Sequence, residues 1–158
     1  MYDRIGLASQ CCFAVAKSLH QAGVSVAITA FPGDSGLSVV PILRHGDKIH
    51  TQVQPMTKGL TPMGEALWWV LQCLVSLREE RKIVLIITDG VADRITVVQD
   101  AIKTATAIGT EIYGIGIDAP QIGQILPRSS RNISALQELP QAIFSLLGNA
   151  LVDQGRAA

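Results

Sequence analysis

The stretch that most constrains this chain is Ile83-Val84-Leu85-Ile86-Ile87, entered from the charged run Arg78-Glu79-Glu80-Arg81-Lys82 and left through Thr88-Asp89-Gly90. A strand with one wet face alternates apolar and polar side chains. An unbroken aliphatic run of this length is instead the pattern of a strand covered on both faces, the usual state of a parallel sheet between helices. It is also far short of the roughly 20 apolar residues that a membrane-crossing helix needs.

The flanks agree with that reading. Thr61-Pro62 predicts a helix start: a capping hydroxyl, proline at the first helical position and Glu65 in the first turn, with Met63, Leu67, Val70, Leu74 and Leu77 as the buried stripe. Downstream, Asp93 is expected to cap a helix that turns Val98, Ala101, Ile102 and Ala105 inward and stops before Gly109. Glu111 to Ile117 reads as a strand, 118–131 as a Gly- and Pro-bearing loop, the surroundings of Ile133 as a short strand, and Leu139 to Val152 as a closing helix.

Upstream, Ile5, Ala8, Cys12, Val15, Ala16 and Leu19 recur at helical spacing until Gly23. Val24 to Phe31 and Leu37 to Leu43 then read as strands on either side of the loop Pro32 to Gly36. Pro41 has no N–H to give a ladder and marks a sheet edge. Arg44 to Leu60 reads mainly as loop. The order α-β-β-α-β-α-β-loop-β-α predicts an α/β fold, a three-layer sandwich with a mostly parallel central sheet flanked by helices and right-handed crossovers. It forms one domain over 1–152, with a frayed tail at 153–158.

Composition narrows the function classes. Lys plus Arg is 13 and Asp plus Glu is 13, so the formal net charge is zero and the basic footprint of a nucleic-acid binder is missing. Three cysteines with no C-x-x-C pair do not make a disulfide framework, which points to a reducing compartment. No basic-then-apolar leader opens the chain, so a cytoplasmic protein without a membrane span is expected.

In open α/β sheets, ligands sit where the carboxyl ends of strands meet helix N-termini. Asp89, after the most apolar strand, and Thr61, ahead of the preceding helix, fall on that edge. A carboxylate and a hydroxyl there are oxygen donors suited to a hard cation such as Mg²⁺. The plainer reading makes Thr61 only a helix cap and Asp89 only a turn former before Gly90. Other motifs carry less. Gly114-Ile115-Gly116 imitates part of a dinucleotide fingerprint but lies within a strand. His45 and His50 lack Cys or carboxylate companions at ligand spacing, and His20 suits the end of the first helix. Cys11, Cys12 and Cys73 fall in helical patterns, and Trp68 and Trp69 cannot both face one core.

Two segments carry a family likeness: Gly59-Leu60-Thr61-Pro62-Met63-Gly64-Glu65-Ala66-Leu67-Trp68-Trp69 and Arg81-Lys82-Ile83-Val84-Leu85-Ile86-Ile87-Thr88-Asp89-Gly90. Together with Tyr113 to Ile117 and Leu136 to Pro140, the chain resembles the von Willebrand factor A-type (VWA) domain over nearly its whole length. It is most similar to the bacterial branch of the cobalt-chelatase subunit and the nitric-oxide-reductase accessory protein. In that family a metal-ion-dependent adhesion site joins a D-x-S-x-S loop after the first strand, a Thr before a later helix and an Asp after the next strand. Thr61 and Asp89 match the second and third.

The segment Asp3-Arg4-Ile5-Gly6-Leu7-Ala8 resembles the helix that follows D-x-S-x-S. The resemblance therefore implies an N-terminally truncated domain without its first central strand, and an incomplete metal site with weak or no Mg²⁺ binding. Strands 24–31 and 83–88 are then expected to pair directly or to leave a gap. As function, the resemblance implies a protein-interaction or adaptor module rather than an enzyme, partnered by a AAA+ ATPase of MoxR or chelatase type, or an accessory subunit of a metal chelatase. The rival expectation is a small α/β phosphotransferase or hydrolase using Asp89.

Overall fold

A computed structural model describes residues 2–31, 39–49 and 61–152. The expected loop Pro32 to Gly36, most of the stretch before Thr61, His50 and the tail 153–158 lie outside the described residues. Two compact units form: Met1–Leu77 with Ala92–Ala101, and Arg78–Val91 with Ile102–Ala158.

The first unit holds α1 (Tyr2–Gln21), β1 (Ile28–Ala30), β2 (Val40–Leu43) and α2 (Met63–Val75). It also holds the opening turns of α3, which spans Ile95–Ala107. β1 and β2 pair antiparallel, with Thr29 opposite Pro41 and an irregular step between Ile28 and Thr29. The edge character read from Pro41 is thus present. The strand expected over Val24 to Phe31 is cut to its last part, because only Ile28 to Ala30 lie opposite β2, while Val24 and Ser25 are exposed.

In α2 the buried side chains are Met63, Ala66, Leu67 and Leu71. Val70, Leu74 and Leu77 are half-buried, so the helix is turned slightly from the predicted stripe, and both tryptophans are half-buried.

The second unit is built on a parallel sheet of β3 (Lys82–Thr88), β4 (Thr110–Ile117) and β5 (Ser130–Ile133), in that order. The register sets Val84 beside Ile112, Ile86 beside Gly114 and Thr88 beside Gly116. β5 follows with Gly114 beside Ser130 and Ile117 beside Ile133. β1 pairs with β2 in the first unit, and β3, β4 and β5 form the ladder of the second.

Alternation assigns the two faces of the parallel sheet. Val84, Ile86, Ile112, Gly114 and Gly116 point one way, and α4 (Ile122–Ile125) lies on that side, with Ile122 and Leu126 over the two glycines. Leu85, Glu111, Tyr113 and Ile115 point the other way, the side that takes α5 (Leu139–Val152). Ile122 on the first face, and Ile115, Leu139 and Ile143 on the second, are fully enclosed. A short 3₁₀ turn, Leu136–Glu138, leads into α5, and the Glu138 carboxylate accepts the Ala135 N–H at 2.8 Å.

One ionic cluster ties α5 to the sheet. The Arg81 guanidinium grips Glu111 with both arms, at 2.6 and 3.0 Å, and also donates to the carbonyl of Ala150 at 2.6 Å. Tyr113 donates its phenolic proton to the same carboxylate at 2.8 Å. The hydrogen bonds from Arg81, aided by Tyr113, hold the Glu111 carboxyl below its ordinary pKa against the opposing effect of partial burial. A depressed folded pKa means stability present at neutral pH and lost as pH falls through that folded value. Glu111→Gln is expected to lower stability by about 1–2 kcal/mol at pH 7, because three donors lose a charged acceptor. The loss should shrink in melts run below the ordinary glutamate pKa of about 4.3.

Candidate functional site

Thr61 belongs to the first unit, in a tight link between the starts of α2 and α3. Its N–H donates to the Asp93 carboxylate at 2.8 Å, and the Asp93 N–H donates back to the Thr61 carbonyl at 3.1 Å. The same carbonyl accepts from Met63 at 2.7 Å. Pro62 stands at the N-cap of α2 with no side-chain cap bond, so the Thr61 hydroxyl is not spent on capping as the sequence suggested. Asp93 likewise does not stand at the first turn of α3, which begins at Ile95. Its side chain binds Thr61 instead.

The approach of the two helices needs a glycine. A Cβ on Gly64 would lie 2.7 Å from Val97 Cγ1, 2.8 Å from Val97 Cβ and 3.1 Å from the backbone nitrogen of Val98. An ion pair of Glu65 with Arg94 completes the link.

Asp89 belongs to the second unit, at the carboxyl end of β3. Thr88 is buried, and its hydroxyl oxygen accepts the Gly90 N–H at 3.1 Å while the hydroxyl lies 3.2 Å from the Gly90 carbonyl, to which it donates. This clasp bends the chain tightly over Asp89 and leaves that carboxylate exposed at the tip. The next strand ends the same way: Asp118 follows β4, is exposed, has φ of +52°, and donates its N–H to the Ile133 carbonyl at 2.9 Å. Since Thr88 lies beside Gly116, Asp89 and Asp118 leave neighbouring strands at the same end of the sheet.

Sequence reading passed over Asp118. The available signal was the repeat of an apolar strand followed directly by aspartate. It also missed the Thr61–Asp93 link, which joins residues 32 positions apart.

The remaining candidates do different work. Gly114 and Gly116 make room for α4 rather than for a nucleotide. Burial, with Cys11 adjacent, pushes the Cys12 thiol up to about 11, and burial raises Cys11 as well, so neither is a ready thiolate nucleophile at neutral pH. His20 is exposed in the last turn of α1. Among the described residues no three His, Cys, Asp or Glu side chains gather as a metal cage, and no helix is long and apolar enough to cross a membrane.

Residues 13–145 match the family model of the von Willebrand factor type A domain. No curated protein matches the chain. Among solved structures, the manganese-loaded TRAP protein of Plasmodium vivax is similar, with a TM-score of 0.58 and 16% identity over 75% of this chain. The match spans 56% of that structure's own length. At this identity the likeness is one of fold.

The helix link makes a prediction whose sign depends on two opposing magnitudes. Gly64→Ala would gain up to about 1 kcal/mol of helix propensity but cost about 1–3 kcal/mol in overpacking. A Cβ cannot rotate away from Val97, so net destabilisation is expected in thermal melts. Asp93→Ala, which removes the acceptor of the Thr61 N–H, should cost about 1 kcal/mol. Asp93→Asn, which keeps an oxygen there, should cost less.

Proposed function

Because the chain belongs to the von Willebrand factor type A family, we propose that it is a protein-interaction module of the adaptor kind, working in the cytoplasm on a AAA+ ATPase of MoxR or chelatase type. The family is one whose domains typically bind proteins. The observation that carries the reading is the exposed Asp89 carboxylate, held on a clasped turn at the carboxyl edge of a parallel sheet, where such folds place their ligands. The branch and the ATPase partner rest on the motif likeness around Thr61-Pro62 and Thr88-Asp89-Gly90.

Thr61 and Asp89 are proposed as oxygen donors to a hard divalent cation, on the strength of their places in the family's motifs. The donor chemistry fits, since one is a hydroxyl not used for capping and the other an exposed carboxylate. When bound, such an ion would offer an open coordination position to an acidic side chain of the partner. One carboxylate and one hydroxyl leave Mg²⁺ mostly hydrated, so affinity for the isolated chain is weak. Asp93, committed to the Thr61 N–H, is a positioning group for that donor rather than a ligand.

Capture from native lysate of the source organism tests the module reading. The expected outcome is recovery of a ring-forming ATPase, diminished by Asp89→Asn without change in far-ultraviolet circular dichroism. Turnover of simple phosphate esters that disappears in Asp89→Asn would instead establish the hydrolase or phosphotransferase. For the ion, calorimetric titration with Mg²⁺ or Mn²⁺ is expected to give millimolar binding or no measurable heat. Micromolar affinity would overturn the two-donor account.

A further inference from the structure

Of all the aspartates and asparagines in the sequence, Asp89 alone is followed by glycine. Such a pair is open to attack by the chain on itself. The carboxyl carbon of the aspartate can close a five-membered ring with the nitrogen of the next residue. Glycine has no Cβ to screen that nitrogen, and its backbone turns freely. Two features of the structure favour closure here. Asp89 lies on the turn after β3, where no ladder holds the peptide plane, and its side chain is exposed to the water that the chemistry releases and consumes.

The Thr88 clasp opposes it. To attack, the Gly90 nitrogen must turn its face toward Asp89 Cγ and give up its proton. The Gly90 N–H instead donates to the Thr88 hydroxyl oxygen at 3.1 Å, which fixes the peptide plane and retains the proton. The return bond from that hydroxyl to the Gly90 carbonyl, at 3.2 Å, fixes the far side of the same glycine. Thr88 is only 7% exposed, so water competes little for its oxygen.

We propose that Asp89–Gly90 is a site of spontaneous covalent modification, where a succinimide forms and reopens to isoaspartate, and that the Thr88 hydroxyl sets the rate. In the first step a bond forms between the Gly90 nitrogen and Asp89 Cγ. The amide proton and one oxygen of the protonated carboxyl group, with its hydrogen, leave as water. In the second step a water molecule adds to the imide. Opening the Cγ–N bond restores aspartate. Opening the bond between nitrogen and the main-chain carbonyl carbon of Asp89 leaves isoaspartate, with the chain running through Cβ and Cγ and the carboxylate now on Cα. The atoms balance across the two steps, and nothing is oxidised or reduced. The chemistry is independent of whether Asp89 meets a cation or a partner, so its test stands apart from the function proposed above.

Ageing the purified 158-residue chain at neutral pH tests this. Isoaspartate at position 89 is read from the tryptic peptide Ile83–Arg94 as an unchanged mass, a shifted retention and resistance to a protease that cuts before aspartate. The native wild type is expected to convert more slowly than the same chain unfolded in urea. Thr88→Val removes the acceptor but keeps the side chain's shape. It should convert faster than the wild type by about three- to tenfold, the weight of one hydrogen bond. Thr88→Ser, which keeps a hydroxyl, should stay close to the wild type.

Asp118 supplies a comparison in the same samples. It leaves the neighbouring strand, but its successor Ala119 carries a Cβ and donates its N–H to Asn132 at 3.0 Å, so no conversion is expected there. Circular dichroism verifies the fold of each variant. Equal rates for native and unfolded wild type would overturn the proposal, whether or not the valine variant folds. So would a folded Thr88→Val that converts no faster than the wild type, or conversion at other aspartates in place of Asp89.

Discussion

The second unit depends on two absent side chains. Gly114 and Gly116 lie in β4, the middle strand of the parallel sheet, and any Cβ there would run into α4. At Gly114 the obstacles are Ile122 at 2.7 Å and Leu126 at 2.9 Å. At Gly116 they are the carbonyl of Ala119 together with Asn132 Oδ1 and Ile122 Cγ2, both at 2.9 Å. A strand glycine costs roughly 0.5–1 kcal/mol relative to alanine. Fully burying one isoleucine returns about 1.5–3 kcal/mol, so the exchange favours the close approach. Once α4 is down, Asn132 can accept the Ala119 N–H at 3.0 Å, and β5 can bind Asp118 through the Ile133 carbonyl. The carboxyl edge of the sheet is shaped by that sequence of contacts.

The candidate functional residues are held by backbone devices in both units. Thr61 is fixed by a reciprocal pair of bonds with Asp93, and Asp89 by the Thr88 clasp on Gly90. In neither case is the candidate donor atom consumed in the bonds that position it. An exposed carboxylate and a hydroxyl not used for capping suit a family whose domains typically bind proteins.

Much of this was legible in the sequence because it follows from short-range pattern. The aliphatic run Ile83 to Ile87 became a parallel strand, and Pro41 lies where a proline can lie, in a two-stranded sheet where every strand is an edge. Helices α1, α2, α3 and α5 fall where their periodicity put them. What escaped depends on distance or brevity. α4 has four residues, too few for helical spacing to declare itself inside a loop rich in glycine and proline. Asp93 has the local setting of a helix cap, and local rules cannot see a partner 32 residues away. Asp118, at φ of +52°, takes a conformation that aspartate tolerates better than most residues but that no sequence rule demands there.

Native-state hydrogen exchange on the wild type and on Gly116→Ala tests the central claim, that β4 and its missing side chains organise the second unit. If they do, amides of Ile112 to Ile117 and Val84 to Ile86 are among the slowest to exchange in the wild type. In Gly116→Ala that protection falls together across β3, β4 and β5, because the added methyl cannot coexist with the Ala119 carbonyl. Undiminished protection in the variant, or loss confined to the turn after Ile117, would contradict the account.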